Sequence, residues 1–325
     1  NNDINVNLLH SRLSIIDLDQ RSNQPFSIYP YTLIFNGEIY NYKELRSLLI
    51  KRGVKFKTSS DTEVLLQMYI NYGDSFFKYL EGMWSLAIWD DYKKKLLISR
   101  DRFGEKPLYY YSNNKGFYFG SEIKFISQLS SKEFNINHDK ISNYIFQGFK
   151  GLNKNSDTYF KEIFSFPSSS YGYLDFKNYH KPKIQKFWQL NYKPKNISFN
   201  QAVEKTDFLL KKSIKMRLRS DVPLGFCLSG GIDSNTIVSI AKKKFNVNFN
   251  TFSIIEKNSR YNELDNITKS QKYLKLNHKN IFVGNKKNIL DDFEKLINYY
   301  EEPIATSNYF YQSYLMKEIK KSGIK

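Results

Sequence analysis

Residues Leu228-Ser229-Gly230-Gly231-Ile232-Asp233-Ser234 join an apolar run at 222–228 to a helix-like segment at 235–243. A strand that passes through paired glycines into a helix start leaves few folds open. Backbone N–H groups and the positive end of the helix converge there, the arrangement that holds a phosphate. Gly230 and Gly231 let a ligand approach the main chain closely. The hydroxyls of Ser229 and Ser234 can donate to phosphate oxygens, and Asp233 can hold a metal or orient water. The Gly-Lys-Ser/Thr ending of a Walker P-loop is missing, so transfer of a terminal phosphate is not the expected chemistry. An ordinary Gly-Ser turn is the plainer reading of the same residues.

The pattern around this loop predicts an architecture. Helical periodicity at 200–218, 235–243, 262–274 and 287–300 alternates with short apolar runs at 222–228, 250–255 and 280–283. Such alternation predicts a parallel sheet with helices on both faces. Ligands of these sheets sit at the carboxyl ends of the strands, which puts 228–234 on one rim with Ser253 and Ile254. The first of those helices should bury Val203, Leu209 and Ile214. Upstream, runs at 5–9, 13–17, 31–35, 83–89, 96–100, 108–111 and 117–119 read as strands. Segments 42–52 and 61–72 read as helices, the second opened by a capping box from Ser60 to Glu63. This interleaving predicts a layered α+β domain. Asn36-Gly37, after the third run, has the composition of a turn.

Composition bounds the partners. A chain of 325 residues is long for one domain. A proline- and aromatic-bearing stretch at 177–199 reads as a linker between residues 1–176 and 200–325. The formal charge of +18 invites a nucleic-acid reading. The lysines are scattered, however, with short runs such as Lys93-Lys94-Lys95, and no arginine stripe or zinc-finger spacing accompanies them. A solvated lysine surface that attracts small anions is the better account, so neither nucleic acid nor a membrane is an expected partner. The one cysteine, Cys227, excludes an internal disulfide and reads as a buried strand thiol. The chain starts at Asn1 without a methionine, and is expected to be a piece of a longer cytoplasmic polypeptide.

Four stretches carry a resemblance. They are His10-Ser11-Arg12-Leu13-Ser14-Ile15-Ile16-Asp17, Phe35-Asn36-Gly37-Glu38-Ile39-Tyr40-Asn41, Ser60-Asp61-Thr62-Glu63, and Arg100-Asp101-Arg102-Phe103-Gly104-Glu105-Lys106-Pro107-Leu108-Tyr109. In order and content they resemble the glutaminase domain of the glutamine-hydrolysing asparagine synthetases, which are class II glutamine amidotransferases. The loop at 229–234 resembles the pyrophosphate loop of ATP pyrophosphatases, as in the synthetase domain of that family. The resemblance implies an N-terminal nucleophile-hydrolase-type layered sandwich followed by an α/β ATP-pyrophosphatase domain of the adenine nucleotide hydrolase-like kind.

It also implies roles that chemistry can check. Glutamine carries an α-carboxylate, an α-ammonium and a side-chain amide. The planar fork of Arg12 suits the carboxylate, and Glu38 and Asp61 suit the ammonium. The Asn36 amide and the Gly37 N–H suit the oxyanion formed when the amide carbonyl is attacked. In the family, the stretches matching Arg12, Leu13, Ser14, Ile15 and Ile16, and Asn36, Gly37 and Glu38, line the glutamine pocket. The nucleophile there is an N-terminal cysteine some tens of residues before the position of Arg12, and none stands among the eleven residues preceding Arg12 here. ATP would lie on Ser229, Gly230, Gly231, Asp233 and Ser234, with Leu228 and Ile254 flanking its adenine and Mg2+ near Asp233. Tyr261-Asn262-Glu263 matches a Phe-Asp-Glu stretch of the family without an assigned role. The family's second phosphate and metal motif, Ser-Gly-x-Gly-x-Asp-Glu, is expected past Lys325.

The implied activity is asparagine formation from aspartate, ATP and glutamine-derived ammonia, through β-aspartyl-AMP and pyrophosphate, in an enzyme that also allows a homodimer. Amidation of another carboxylate, such as a sugar acid or a β-lactam precursor, is the alternative within the fold. A glutamine- or nucleotide-binding protein without a nucleophile is the non-enzymatic one.

Overall fold

The computed structural model describes residues 4–148, 155–175, 182–255, 263–282, 289–304 and 306–325. The chain divides into two compact units, Asn1–Tyr192 and Lys193–Lys325.

The first unit is built in four layers. Its larger sheet has six antiparallel strands, β1 (Phe26–Ile28), β2 (Tyr31–Ile39), β3 (Gly82–Asp90), β4 (Lys95–Arg100), β8 (Ser170–Asp175) and β9 (Lys183–Lys186), in that spatial order. Helices α1 (Tyr42–Ile50) and α2 (Asp61–Tyr72) cover one face. Leu45, Leu49, Val64, Leu65 and Met68 pack there on Leu33, Phe35, Trp84, Leu86 and Ile88. The other face, with Ala87, Trp89, Leu96 and Ile98, meets a three-stranded sheet ordered β6 (Gly116–Gly120), β5 (Tyr109–Asn113) and β7 (Phe164–Ser165). Helix α3 (Ile123–Ser130) closes the far side through Ile123 and Ile126. Strand β3 is therefore apolar on both faces, which is why its sequence reads as a continuous run.

Three sequence expectations differ from this picture. The runs at 5–9 and 13–17 are not strands. The Arg12 guanidinium takes the carbonyls of Ile16 (2.9 Å), Asp17 and Asp19 (3.1 Å), and this curls the segment into a loop. Asn36-Gly37 is not a turn, since β2 runs through it, with Asn36 opposite Ser85 and Gly37 opposite Trp84. The stretch expected as a linker contributes β9, which pairs with β8, so the first unit runs to Tyr192. Helix α4 (His138–Gln147), absent from the sequence reading, is opened by the Asn137 side chain.

The second unit holds a parallel sheet ordered β10 (Gly225–Cys227), β11 (Asn250–Ile255) and β12 (Asn277–Phe282). Helices α6 (Ile232–Ser239) and α7 (Leu264–Leu274) pack on one face through Val238 and Ile267. Helix α9 (Ser307–Lys321) packs on the other through Leu315. Helices α5 (Phe199–Arg217) and α8 (Ile289–Tyr300) complete the unit. In α5 Ile214 is buried, but Val203 and Leu209 are exposed. Cys227 is also exposed, because β10 is an edge strand among the described residues. Among the described residues no helix is long and apolar enough to cross a membrane.

Strands β2 and β3 approach too closely for side chains at two positions. A Cβ on Gly37 would lie 2.0 Å from the Met83 carbonyl oxygen, and one on Gly82 would lie 2.1 Å from that of Glu38. Gly82→Ala is expected to cost about 3 kcal/mol, at the upper end of overpacking penalties, read as a lower denaturant midpoint with an unchanged slope.

Candidate functional site

A cavity of about 130 Å³ opens in the first unit beside the end of β2. Arg12, Leu13, Ile15, Ile16, Asn36, Gly37, Glu38 and Asp61 all line it. Ser14 sits on the same loop and does not. Three distant stretches of sequence are thus brought to one space.

The register of β2 explains what the cavity offers. In an antiparallel pair, backbone groups of alternate residues point toward and away from the partner strand. The N–H of Phe35 donates to Gln24 Oε1 at 2.5 Å, and the Phe35 carbonyl accepts from Gln24 Nε2 at 3.1 Å. The N–H of Ile39 donates to Asp61 Oδ2 at 3.0 Å. Phe35 and Ile39 therefore point their groups away from β3. Gly37, midway between them, shares that direction, so its N–H faces the cavity side. The side chain of Asn36 sits next to it, held by a 3.1 Å bond from Nδ2 to Ser121 Oγ. Strand β1 pairs only as far as Leu33, and this is what leaves the edge of β2 open here.

Charge is arranged at both ends. Arg12 is fixed by the carbonyls of its own loop and by Asn23 Oδ1 at 3.2 Å, so it brings a positioned cation to the wall. Asp17 ties that loop to the start of α2, accepting from Ser59 N–H at 2.6 Å and Ser22 Oγ at 2.8 Å. Burial acts to raise its pKa, but these hydrogen bonds outweigh burial and hold it below the ordinary value. Burial raises the Glu38 carboxyl, opposed by the charge of Lys106. Asp61, at the first position of α2, is pushed up to about 7, by burial first and then by the Glu38 charge, against the Ile39 N–H.

The stretch from Arg100 to Tyr109 is a knot that delivers Lys106 to this cavity. Asp101 is fully buried. Its carboxylate accepts from the N–H groups of Phe103 (3.0 Å), Glu105 (3.0 Å) and Lys106 (2.9 Å). Arg100 donates to the carbonyls of Lys106 (2.7 Å), Gly104 (2.9 Å) and Phe166 (2.9 Å). His10, Gln24, Lys106 and Ser121 were not foreseen as site residues. His10 and Lys106 stand inside quoted motifs, whereas nothing in the sequence marks Gln24 or Ser121. The capping box at Ser60 is half made. Ser60 Oγ accepts from the Glu63 N–H at 3.2 Å, but the Glu63 carboxylate turns back to the N–H groups of Lys57 (2.9 Å) and Thr58 (2.6 Å).

In the second unit the glycine loop follows β10 and opens α6. The hydroxyls of Ser229 and Ser234 lie 2.9 Å apart, and Ser234 Oγ accepts from the Ser229 N–H at 3.0 Å. Asn235 Nδ2 clamps the carbonyls of Ser229 (2.9 Å) and Gly231 (2.7 Å). The Gly230 N–H donates to Glu263 Oε2 at 2.9 Å, so an anion already sits on the loop. Asp233 lies exposed in the first turn of α6. Among the described residues no cluster of three or more His, Cys, Asp or Glu is placed to hold a metal. Leu228 and Ile254 are not brought together. Leu228 is 3% exposed and packs with Val238 and Ile267, while Ile254 packs with Ile281 and Leu315 on the opposite face of the sheet.

These features match known proteins over both units. Residues 1–188 match the model of a glutamine amidotransferase domain, and residues 205–325 match that of asparagine synthase. A layered domain of the glutamine amidotransferase type ahead of a parallel-sheet domain of the asparagine synthase type is thus the class that fold and matches define. The chain belongs to the family that joins a glutamine amidotransferase domain to an asparagine synthase domain. It is similar to asparagine synthetase [glutamine-hydrolyzing] 1 of Bacillus subtilis, with 33% identity over 317 residues, 95% of this chain and 48% of that one. It is likewise similar to a putative asparagine synthetase [glutamine-hydrolyzing] 2 of Methanocaldococcus jannaschii, with 33% identity over 327 residues, 92% of this chain and 60% of that one. Amidase chry2 of Gibberella zeae is 30% identical over 242 residues, 72% of this chain and 34% of its own. The chain therefore spans 48% to 60% of the length of the two synthetases it matches.

The Asp61 carboxyl gives a pH signature. Its pKa in the fold lies above the ordinary 3.8, so its contribution to stability is full below that value and is lost as pH rises through about 7. Asp61→Asn keeps an acceptor for the Ile39 N–H and removes the titration. The parent should lose more stability than the variant between about pH 5 and about pH 8, measured by denaturant midpoints.

Proposed function

We propose that this chain carries the glutamine-hydrolysing and ATP-binding parts of an enzyme that makes asparagine from aspartate. The observation that carries the reading is the open edge of β2. It sets the Gly37 N–H and the Asn36 amide beside one another in a cavity whose walls include Arg12, Glu38 and Asp61. An amino acid with a side-chain amide has three groups to match these three. The α-carboxylate meets the positive charge of Arg12, whose four Nη hydrogens are already donated to Ile16, Asp17, Asp19 and Asn23, and the α-ammonium pairs with Asp61 and Glu38. Arrival of the ammonium drives the Asp61 proton off. The amide carbonyl then meets Asn36 and Gly37, whose N–H groups stabilise negative charge as a nucleophile attacks. On this reading the first unit is a nucleophile-hydrolase-type sandwich and the second an ATP-pyrophosphatase domain.

In the second unit the loop hydroxyls and N–H groups would receive ATP phosphates, with Gly230 exchanging Glu263 for a phosphate oxygen. The donor set fits Mg2+ bound mainly by phosphate, since that ion commonly keeps only one or two carboxylates. Asp233 would be its protein ligand, and the ion neutralises the pyrophosphate leaving group when bound. Leu228 and Ile254 would serve adenine through their backbones. Aspartate is the proposed acceptor, and aspartate-dependent pyrophosphate release distinguishes it from a sugar acid or a β-lactam precursor.

The test uses the complete gene product. Arg12→Ala should abolish glutamine-dependent synthesis and leave ammonia-dependent synthesis intact. Equal loss of both would refute a dedicated glutamine role. Asp233→Ala should remove ATP-to-AMP turnover with either nitrogen source.

A further inference from the structure

Asn36 is half-buried and donates from Nδ2 to Ser121 Oγ at 3.1 Å, across 85 residues of sequence. Ser121 directly follows β6 of the second sheet, whereas Asn36 lies in β2 of the first. The bond therefore spans the two sheets at the cavity wall. An Asn side chain has two free torsions, and the terminal one is broad. Left alone, the amide samples many orientations, and few of them direct an N–H at a given point. The amide nitrogen carries two hydrogens. A hydroxyl that accepts one of them fixes the plane of the amide and leaves the second directed elsewhere in that plane.

We propose that Ser121 is a positioning residue for amide hydrolysis: it holds the Asn36 side chain so that its second N–H is aimed at the oxyanion before that charge develops. This rests on the oxyanion role proposed above for Asn36. Preorganisation of this kind acts where charge appears in the transition state and adds little to ground-state binding. Ser121 touches neither the reacting carbonyl nor the α-substituents in this account, so its removal should leave glutamine affinity alone.

The experiment measures steady-state glutaminase kinetics and calorimetric glutamine binding in the complete gene product. Removing an oxyanion donor outright costs about 10²–10³ in kcat, and loosening one should cost less. Ser121→Ala is expected to lower kcat about tenfold, with KM and the glutamine Kd changed by less than about twofold. Ser121→Thr, which keeps the hydroxyl, should recover most of the loss. An unchanged kcat, or a raised KM at constant kcat, overturns the proposal. So does a Ser121→Ala protein that no longer binds glutamine, since that marks the residue as structural. Asn36→Ala separates this idea from the one beneath it. If that variant keeps its kcat, the oxyanion assignment itself fails. If it loses kcat while Ser121→Ala does not, only the role of Ser121 fails.

Discussion

The first unit of this molecule depends on a strand that is paired on one side and open on the other. Strand β2 spends its even-numbered backbone groups on β3 and presents its odd-numbered ones to whatever lies across from them. At Leu33 that is β1. At Phe35 it is the side-chain amide of Gln24, which imitates a strand by both accepting and donating. At Ile39 it is a helix-terminal carboxylate. Unpaired buried N–H and C=O groups are costly, so each substitute partner is needed for the strand to persist past its neighbour. Gly37 is the position between them that faces the cavity. The same strand must also come close to β3, and glycines at Gly37 and Gly82 permit that approach.

A second constraint keeps the wall of the cavity in place. Arg100 and Asp101, two charged residues side by side in sequence, form a buried fastening. The carboxylate of Asp101 gathers successive N–H groups of the following loop, and the Arg100 guanidinium gathers its carbonyls. Burial lowers the Arg100 pKa from its usual value. A guanidinium stays charged under such conditions, whereas an ammonium in its place would be far easier to deprotonate. Conserving the loop's shape, rather than contacting a substrate, is what these side chains do, and Lys106 reaches the cavity as a result.

Much of this was legible in the residues. Strand β11 and helix α2 follow periodicity closely, and the alternation after residue 222 gave the parallel sheet. The stretches around Arg12, Asn36 and Asp61 were grouped through their resemblance to a known glutaminase domain, and neither composition nor periodicity would have joined them. What sequence did not reveal depends on partners far along the chain. The runs at 5–9 and 13–17 have strand composition but no ladder partner among the described residues, and the Arg12 guanidinium takes the carbonyls of Ile16 and Asp17 in the second of them. Asn36-Gly37 has turn composition, but the ladder with β3 overrides it. Gln24 and Ser121 are ordinary polar residues whose importance comes only from what the folded sheets set opposite them. The flanks foreseen for adenine separated for a related reason: adjacent strands sent Leu228 and Ile254 into cores on opposite sides.

The carboxylate of Glu263 on the N–H of Gly230 bears on how the loop would respond to its surroundings. A phosphate arriving there does not fill a vacant cationic nest; it evicts a resident negative group. Glu263 is tethered, so its charge stays beside the loop after it swings away, and the newcomer would have to outcompete it for the backbone N–H in spite of that repulsion.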